Sequence, residues 1–327
     1  MMGNFTRWVG LGIATAGLVA CGGGGSGGSD SGGTGQMSLA VTDAPVDSAS
    51  RVVVRFTHIE LQPSDGERIR IDLGEDEEVR EIDLLTLQGE DSEFLFEDEE
   101  VPAGEYAWLR FHLEESEEVV DFPGSQGGIA TTSFIEFMDG NEDRLIIPGG
   151  NQAGLQLSGG FSVPEDGEVS FTVDFDLRKA IVEDSRDGFH RMRRSLRLVD
   201  NDAVGAITGT VDPTLFPDDF TCEEREEGLH ACPGAAVYVF EGLDREPRDL
   251  RDDDDDAVTT ANVQYRHIEE TGDWEYRYTA GFLEAGEYTV ALTFEAGEDD
   301  PEEETPIEFV DQANAEVEAG ETTEVNF

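Results

Sequence analysis

Apolar and polar residues alternate with period two over much of the chain. Val169, Phe171, Val173, Phe175 and Leu177 fall on one side of an extended segment, and Ser170, Thr172, Asp174 and Asp176 on the other. Leu109, Phe111 and Leu113 alternate in the same way with Arg110, His112 and Glu114, and residues 288–294 repeat the pattern. Residues 52–61 form another strand candidate, apolar on both faces over part of its length. Helical periodicity is scarce; residues 82–87 hold one turn or two. Further short strands at residues 205–211, 235–240, 274–280 and 322–327 are separated by turn signals, and the run Asp252 to Asp256 reads as a loop. The pattern predicts an all-β chain of two β-sandwich-like domains, over residues 37–200 and 204–327. A short echo links them. Ala103-Gly104-Glu105-Tyr106 and Ala285-Gly286-Glu287-Tyr288 each precede a strand, and Ala319-Gly320-Glu321 precedes the last one. Glycine frees the turn and tyrosine packs where the next strand starts, which predicts similar architecture in the two units.

The N-terminal residues follow a different pattern. Arg7 precedes an apolar run over residues 8–20, too short for a lasting bilayer span and closed by small residues, as in a signal peptide. Leu18-Val19-Ala20-Cys21 resembles the bacterial lipobox. The resemblance implies cleavage before Cys21, diacylglyceryl attachment to its thiol and acylation of the new amino terminus, a multi-chain anchor that holds stably to a membrane. Gly22 rather than Asp follows, which by resemblance to Gram-negative lipoproteins implies the outer membrane. Residues 1–20 therefore read as a lipoprotein signal, and residues 21–36 as the lipidated cysteine and a flexible Gly/Ser tether. Gly24-x-Ser26-x-Gly28 lies in that tether, without the strand and helix that a nucleophile elbow needs.

Charge narrows the partners. Asp and Glu number 75 against 21 Lys and Arg, a net charge of −54, and Lys179 is the sole lysine. Nucleic-acid affinity rests on cationic side chains, so the balance excludes it. It equally excludes an anionic lipid surface held by anything but acyl chains. The acids are spread from Asp43 to Glu324, which favours a solvated coat suited to high salt over a localised cation site. In an oxidising envelope Cys222 and Cys232 are expected to form one disulfide; the alternative, a metal site with His230, lacks further ligands at suitable spacing.

Candidate chemistry is thin. His58, His112, His190, His230 and His267 are scattered, without an HExxH pair, and read as surface or packing groups. No Walker loop or dinucleotide fingerprint occurs. Asp139-Gly140-Asn141-Glu142-Asp143 mimics the opening of an EF-hand, but Arg144 stands at the sixth position and Gly150 at the twelfth, so it reads as a turn with at most adventitious calcium. Asp174 and Asp176 share a strand face that could hold a cation with loop oxygens; a solvated face is the plainer expectation. Trp274, Tyr276 and Tyr278 also share one face. An exposed row of this kind stacks on sugar rings, whereas in a sandwich it more often faces the core. Abundant carboxylates neither support nor exclude a paired-acid hydrolase site. No cofactor is expected, calcium being the one weak candidate.

The first unit resembles a bacterial lipoprotein family known as domain of unknown function 4382. The resemblance is carried by Leu39-Ala-Val-Thr-Asp-Ala-Pro-Val46, Ile82-Asp-Leu-Leu-Thr-Leu87, Val101-Pro-Ala-Gly-Glu-Tyr106 leading into Leu109-Arg-Phe111, Gln152-Ala-Gly-Leu155 and Val173-Asp-Phe-Asp-Leu-Arg-Lys-Ala-Ile-Val182. Ser195-Leu-Arg-Leu-Val199 followed by Gly205-x-Ile-x-Gly209 is similar to that family's exit from the domain. The second unit resembles transthyretin-like or carboxypeptidase-regulatory-like sandwiches, sometimes grouped as a carbohydrate-binding-like fold, through Gly205-x-Ile-x-Gly-x-Val211, Pro233-Gly-Ala-Ala-Val-Tyr-Val239 and Leu283-x-Ala-Gly-x-Tyr-x-Val290. The first family has no assigned activity, and the name of the second fold is not evidence of sugar binding. The expectation is a non-enzymatic, lipid-anchored envelope protein with a structural or binding role, partnered by the membrane and by extracellular polysaccharide or another envelope protein. A polysaccharide-binding module and an envelope hydrolase are the alternatives.

Overall fold

The computed structural model describes residues 33–44, 49–74, 79–116, 129–147, 155–183, 188–226, 228–251, 253, 255–269 and 271–327. The signal segment, Cys21 and most of the tether lie outside the described residues. Among those described, strand follows strand, as the alternation predicts. The first half contributes β1 (Thr34–Ala44), β2 (Ala49–Pro63), β3 (Ile69–Asp72), β4 (Arg80–Asp83) and β5 (Glu93–Pro102). It continues with β6 (Gly104–Leu113), β7 (Ile129–Phe137), β8 (Glu142–Ile147), β9 (Leu155–Leu157) and β10 (Phe161–Val163). β11 (Glu168–Asp176), β12 (Ile181–Glu183), β13 (Phe189–Met192) and β14 (Leu196–Asp200) complete it. Residues 82–87 hold the end of β4 and a single 3-10 turn, Leu84–Thr86. Thr34 to Gln36, read from sequence as the end of the tether, are already strand. Gly35 lies so close to Pro164 that a Cβ there would meet its carbonyl oxygen at 2.3 Å.

These strands form two sheets. A four-stranded one has the order β14-β11-β1-β5, with β1 and β11 parallel; the other runs β10-β6-β2-β7-β8-β13-β12, with β3 and β4 on β2 and β9 on β6. One core joins them. Phe175 on the first sheet meets Phe56 and Phe111 on the second at ring-centroid distances of 6.1 and 5.5 Å. Leu39, Val41 and Val173 pack against Ile59, Leu61 and Leu145 in the same cluster. Burial of this apolar surface is the main favourable term.

The second half supplies β15 (Val204–Thr210), β16 (Glu223–Glu226), β17 (Leu229–Glu241), β18 (Thr259–Ile268), β19 (Asp273–Glu284), β20 (Gly286–Thr293), β21 (Phe309–Val317) and β22 (Thr322–Glu324). They form one eight-stranded sheet, β21-β20-β17-β18-β19-β15-β22, with β16 on β17. β17 is covered on both faces. Val237 and Val239 join Ile207, Val290 and Leu292 in one core; Ala236, Tyr238 and Phe240 join Leu250 and Ala291 in a second. The expected disulfide, Cys222–Cys232, ties the chain before β16 to β17 across a sequence separation of 10. The all-β, sandwich-like fold is therefore the one the alternation predicts.

Candidate functional site

Three places concentrate polar chemistry, the first at the contact between the two halves. A short α-helical turn, Leu177–Ala180, follows β11 and carries Arg178 into the second half. There the buried guanidinium donates from Nη1 to Ala296 O at 2.7 Å, from Nη2 to Asn262 Oδ1 at 2.8 Å and from Nε to Thr260 Oγ1 at 3.3 Å. Lys179 Nζ donates to Ala257 O at 2.6 Å. Beside this anchor Gly281 meets Gly89 backbone to backbone, so that a Cβ at Gly281 would lie 2.1 Å from Gly89 O.

Asp174 and Asp176 lie in this contact. The solvated face expected for them is corrected here: they are 5% and 6% exposed. The strand carries apolar residues on its core side, and the second half covers its polar side. Asp174 accepts from Arg197 Nη2 at 2.7 Å, and Asp176 pairs with Lys179 at 3.1 Å. Asp43, on the neighbouring β1, is buried with neither carboxyl oxygen hydrogen-bonded. Burial raises its pKa well above the ordinary carboxylate range, the charges of Asp174 and Asp176 raise it further, and the backbone N–H of Leu177 opposes them. Asp174 is raised by burial against the pull of Arg197. The crevice they share with Thr259, Thr260 and Thr279 holds about 10 Å³, room for roughly one water and not for a substrate.

The second place is the outer face of the larger sheet. Ile59, Leu61, Phe111 and Leu113 point into the core, so His58, Glu60, Arg110 and His112 share the other face of β2 and β6. Register sets His58 opposite His112 and Glu60 opposite Arg110, with β3 adding Asp72 and Arg70 to the same two rows. The imidazoles stack with centroids 4.1 Å apart and planes 12° from parallel. Glu60 Oε2 lies 3.1 Å from His112 Nε2, 3.4 Å from Arg110 and 3.7 Å from Arg68. His58 Nδ1 is 3.0 Å from Thr57 Oγ1. Burial, with His112 and Arg70 nearby, lowers the His58 pKa to about 4; burial lowers His112 despite Glu60. Burial pushes Glu60 up, but His112, Arg68 and Arg110 together hold it below its usual value. At neutral pH two uncharged rings thus face a carboxylate. Two of the histidines that look scattered along the chain, His58 and His112, are paired by strand register, a juxtaposition that spacing in sequence does not encode.

The third is an aromatic cluster on β18 and β19. Trp274 is 39% exposed, Tyr276 half-buried, and Tyr278 buried with its hydroxyl donating to Val325 O at 2.7 Å. Of the three, only Trp274 and Tyr276 reach the surface. Tyr265, which the alternation within β19 could not reveal, stacks on Trp274 at 5.0 Å and meets Tyr276 at 4.5 Å. His230 and His267 flank the indole at 5.1 and 5.4 Å. The EF-hand-like residues form the turn between β7 and β8: Asp139 accepts from Asn141 N at 3.0 Å and from its side-chain amide at 2.7 Å. Asp143 instead lies 3.1 Å from His190 Nδ1.

Comparison with known proteins adds little about activity. No curated protein matches the chain. Among solved structures, the Bacillus anthracis TIE protein shares 12% identity at a TM-score of 0.18. That alignment covers 89% of this chain and 34% of the other, so the chain spans about a third of that protein's length. GBS52, the minor pilin of Streptococcus agalactiae, shares 10% identity at a TM-score of 0.18 over 89% of this chain and 94% of its own. BcpA, the major pilin subunit of Bacillus cereus, shares 10% at a TM-score of 0.19 over 90% and 98%. At such TM-scores the likeness carries no argument about fold or function. The first half does better: residues 34–190, β1 into β13, match the model of the family described as Domain of unknown function (DUF4382).

Proposed function

We propose that this is a lipid-anchored cell-envelope protein with a non-enzymatic structural or binding role, its two β-halves working as one body on the end of a flexible tether. The observation that supports this most is the Arg178 anchor. A buried guanidinium of one half whose donors are met by the other costs several kcal/mol to separate, because parting leaves its partners unsatisfied or exposes them to water. Such a joint suits a body that passes force or presents a fixed surface. Cys21 and the Gly/Ser tether supply the anchor in this reading. Labelling of cells with a palmitate analogue is expected to mark the protein and to leave Cys21→Ser unlabelled and released from the membrane fraction. Equal labelling of both forms, or an unlabelled parent, overturns the anchoring.

A second reading rests on Trp274. An exposed indole stacked on Tyr265 beside Tyr276 is a platform suited to a sugar ring. Saturable binding of an extracellular polysaccharide, lost in Trp274→Ala with folding intact, would favour it; binding unchanged by that substitution, or none by folded protein, would remove this surface as the site.

A further inference from the structure

We propose that the outer face of β3, β2 and β6 binds an acidic extracellular polysaccharide, through Arg68, Arg70 and Arg110 and the nearby Arg194. The net charge of the chain hides this surface. Acids outnumber lysines and arginines 75 to 21 overall, yet here four guanidiniums stand with two carboxylates, Glu60 and Asp72, and leave two positive charges over. Asp72 is taken by Arg70 at 2.7 Å. Glu60 is shared, with Arg110 and Arg68 approaching the same oxygen at 3.4 and 3.7 Å. Arg194 is exposed and has no ion pair among the described residues. Its charge and that of Arg68 both act on Arg110, with Glu60 as the acid that opposes them. Trp108 gathers two of the cations, since the Arg110 and Arg68 guanidiniums lie 4.6 and 5.4 Å from its ring centre.

Like charges brought together cost energy unless an anion meets them. Elsewhere arginines stand beside their own acids, as Arg51 beside Asp83, Arg80 beside Glu93 and Arg245 beside Asp255. The side chains of Arg68 and Arg70 are 56% and 59% exposed, so their planar forks are open to a carboxylate, which a guanidinium takes in a bidentate pair. Among polyanions an acidic polysaccharide fits best. Duplex nucleic acid carries one charge per about 1.7 Å and sets most of them against the acids around the patch. A polyuronate spaces its carboxylates one to a sugar, and its single strand is narrow enough to lie along one sheet face. This surface is on the first half and Trp274 on the second, so neither reading depends on the other.

The test is titration calorimetry of the purified full chain with alginate, a polyuronate, at the lowest NaCl concentration at which the chain still melts cooperatively, with dextran as the uncharged control. Saturable binding of alginate and none of dextran is expected. Arg68→Gln and Arg194→Gln each weaken it by at least about threefold, and the double variant weakens it by more than either. Both side chains are exposed, so their replacement leaves the fold standing. Arg266→Gln, which removes an exposed arginine of the second half, and Trp274→Ala change nothing. Alginate binding that survives the double variant overturns the proposal, since the glycan then lies elsewhere. So does equal binding of dextran, or a folded parent that binds neither.

Discussion

Asp43 shows at the scale of one residue what a buried acid does to this fold. Its carboxyl sits among Asp174, Asp176 and Asp83, with the Leu177 N–H opposing them. Folding raises its pKa, so the folded chain holds a proton that the unfolded chain has lost. Its contribution is therefore present below the ordinary carboxylate pKa and is lost as pH rises through the raised value. Asp43→Asn removes this term while keeping the shape. The melting temperature of the variant minus that of the parent is expected to grow more positive from about pH 4 to about pH 8. A difference constant across that range would show that Asp43 does not titrate differently on folding. The subtraction matters, because acids far from Asp43 move both proteins alike.

At the scale of the element, the Ala-Gly-Glu-Tyr echo has a structural meaning. Tyr106 Oη donates to Pro102 O at 2.6 Å and Tyr288 Oη to Glu284 O at 2.7 Å, each to the residue four before it. Both rings are buried at the start of a strand, and both close the tight connection from the preceding strand, β5 to β6 and β19 to β20. The same local device is built into the two halves, as in the tyrosine corner of immunoglobulin-type sandwiches. Tyr106→Phe and Tyr288→Phe are each expected to cost about 1 kcal/mol in denaturant unfolding. Because the tyrosines lie in separate cores, the double variant is expected to cost their sum. A loss in only one half would mean that the echo is a coincidence of turn chemistry. This device was legible in the sequence as a turn followed by a packed tyrosine; the hydroxyl's partner was not, since it depends on the exact path of the turn.

For the whole molecule two effects compete: repulsion within the net charge of −54 loosens the fold, and the joint between the halves holds it together. Salt screens the first, the Debye length falling from about 10 Å at 0.1 M to about 3 Å at 1 M. Melting temperature is therefore expected to climb steadily with NaCl into the molar range; a flat profile would show that the acids are placed to avoid one another. The joint is tested separately. Gly281→Val drives a side chain into Gly89 O, and Arg178→Met removes the anchor's donors while keeping much of its bulk. Each is expected to split one cooperative unfolding transition in calorimetry into two, one for each half. A single transition in both variants would mean that the halves are coupled through other contacts.

What the sequence determined by itself is local. Period-two alternation marks β6, β11, β19 and β20, because successive side chains of a strand point to opposite faces of the sheet. Two cysteines across one loop in an oxidising setting have a single simple pairing, and Cys222–Cys232 makes it. What the tertiary structure decided is non-local. Asp174 and Asp176 alternate like residues of a solvated face, yet the second half buries them, because alternation tells which side of a strand is polar and not what lies against that side. Trp274, Tyr276 and Tyr278 share a face in sequence and divide in space between surface and core: β15 pairs with β19 only as far as Arg277, and Trp274 lies beyond it. His58 and His112 stand in strands separated by β3, β4 and β5, and only the register of β2 on β6 sets one ring upon the other. Register depends on how whole sheets pack and on the turns between them, so no spacing along the chain carries it.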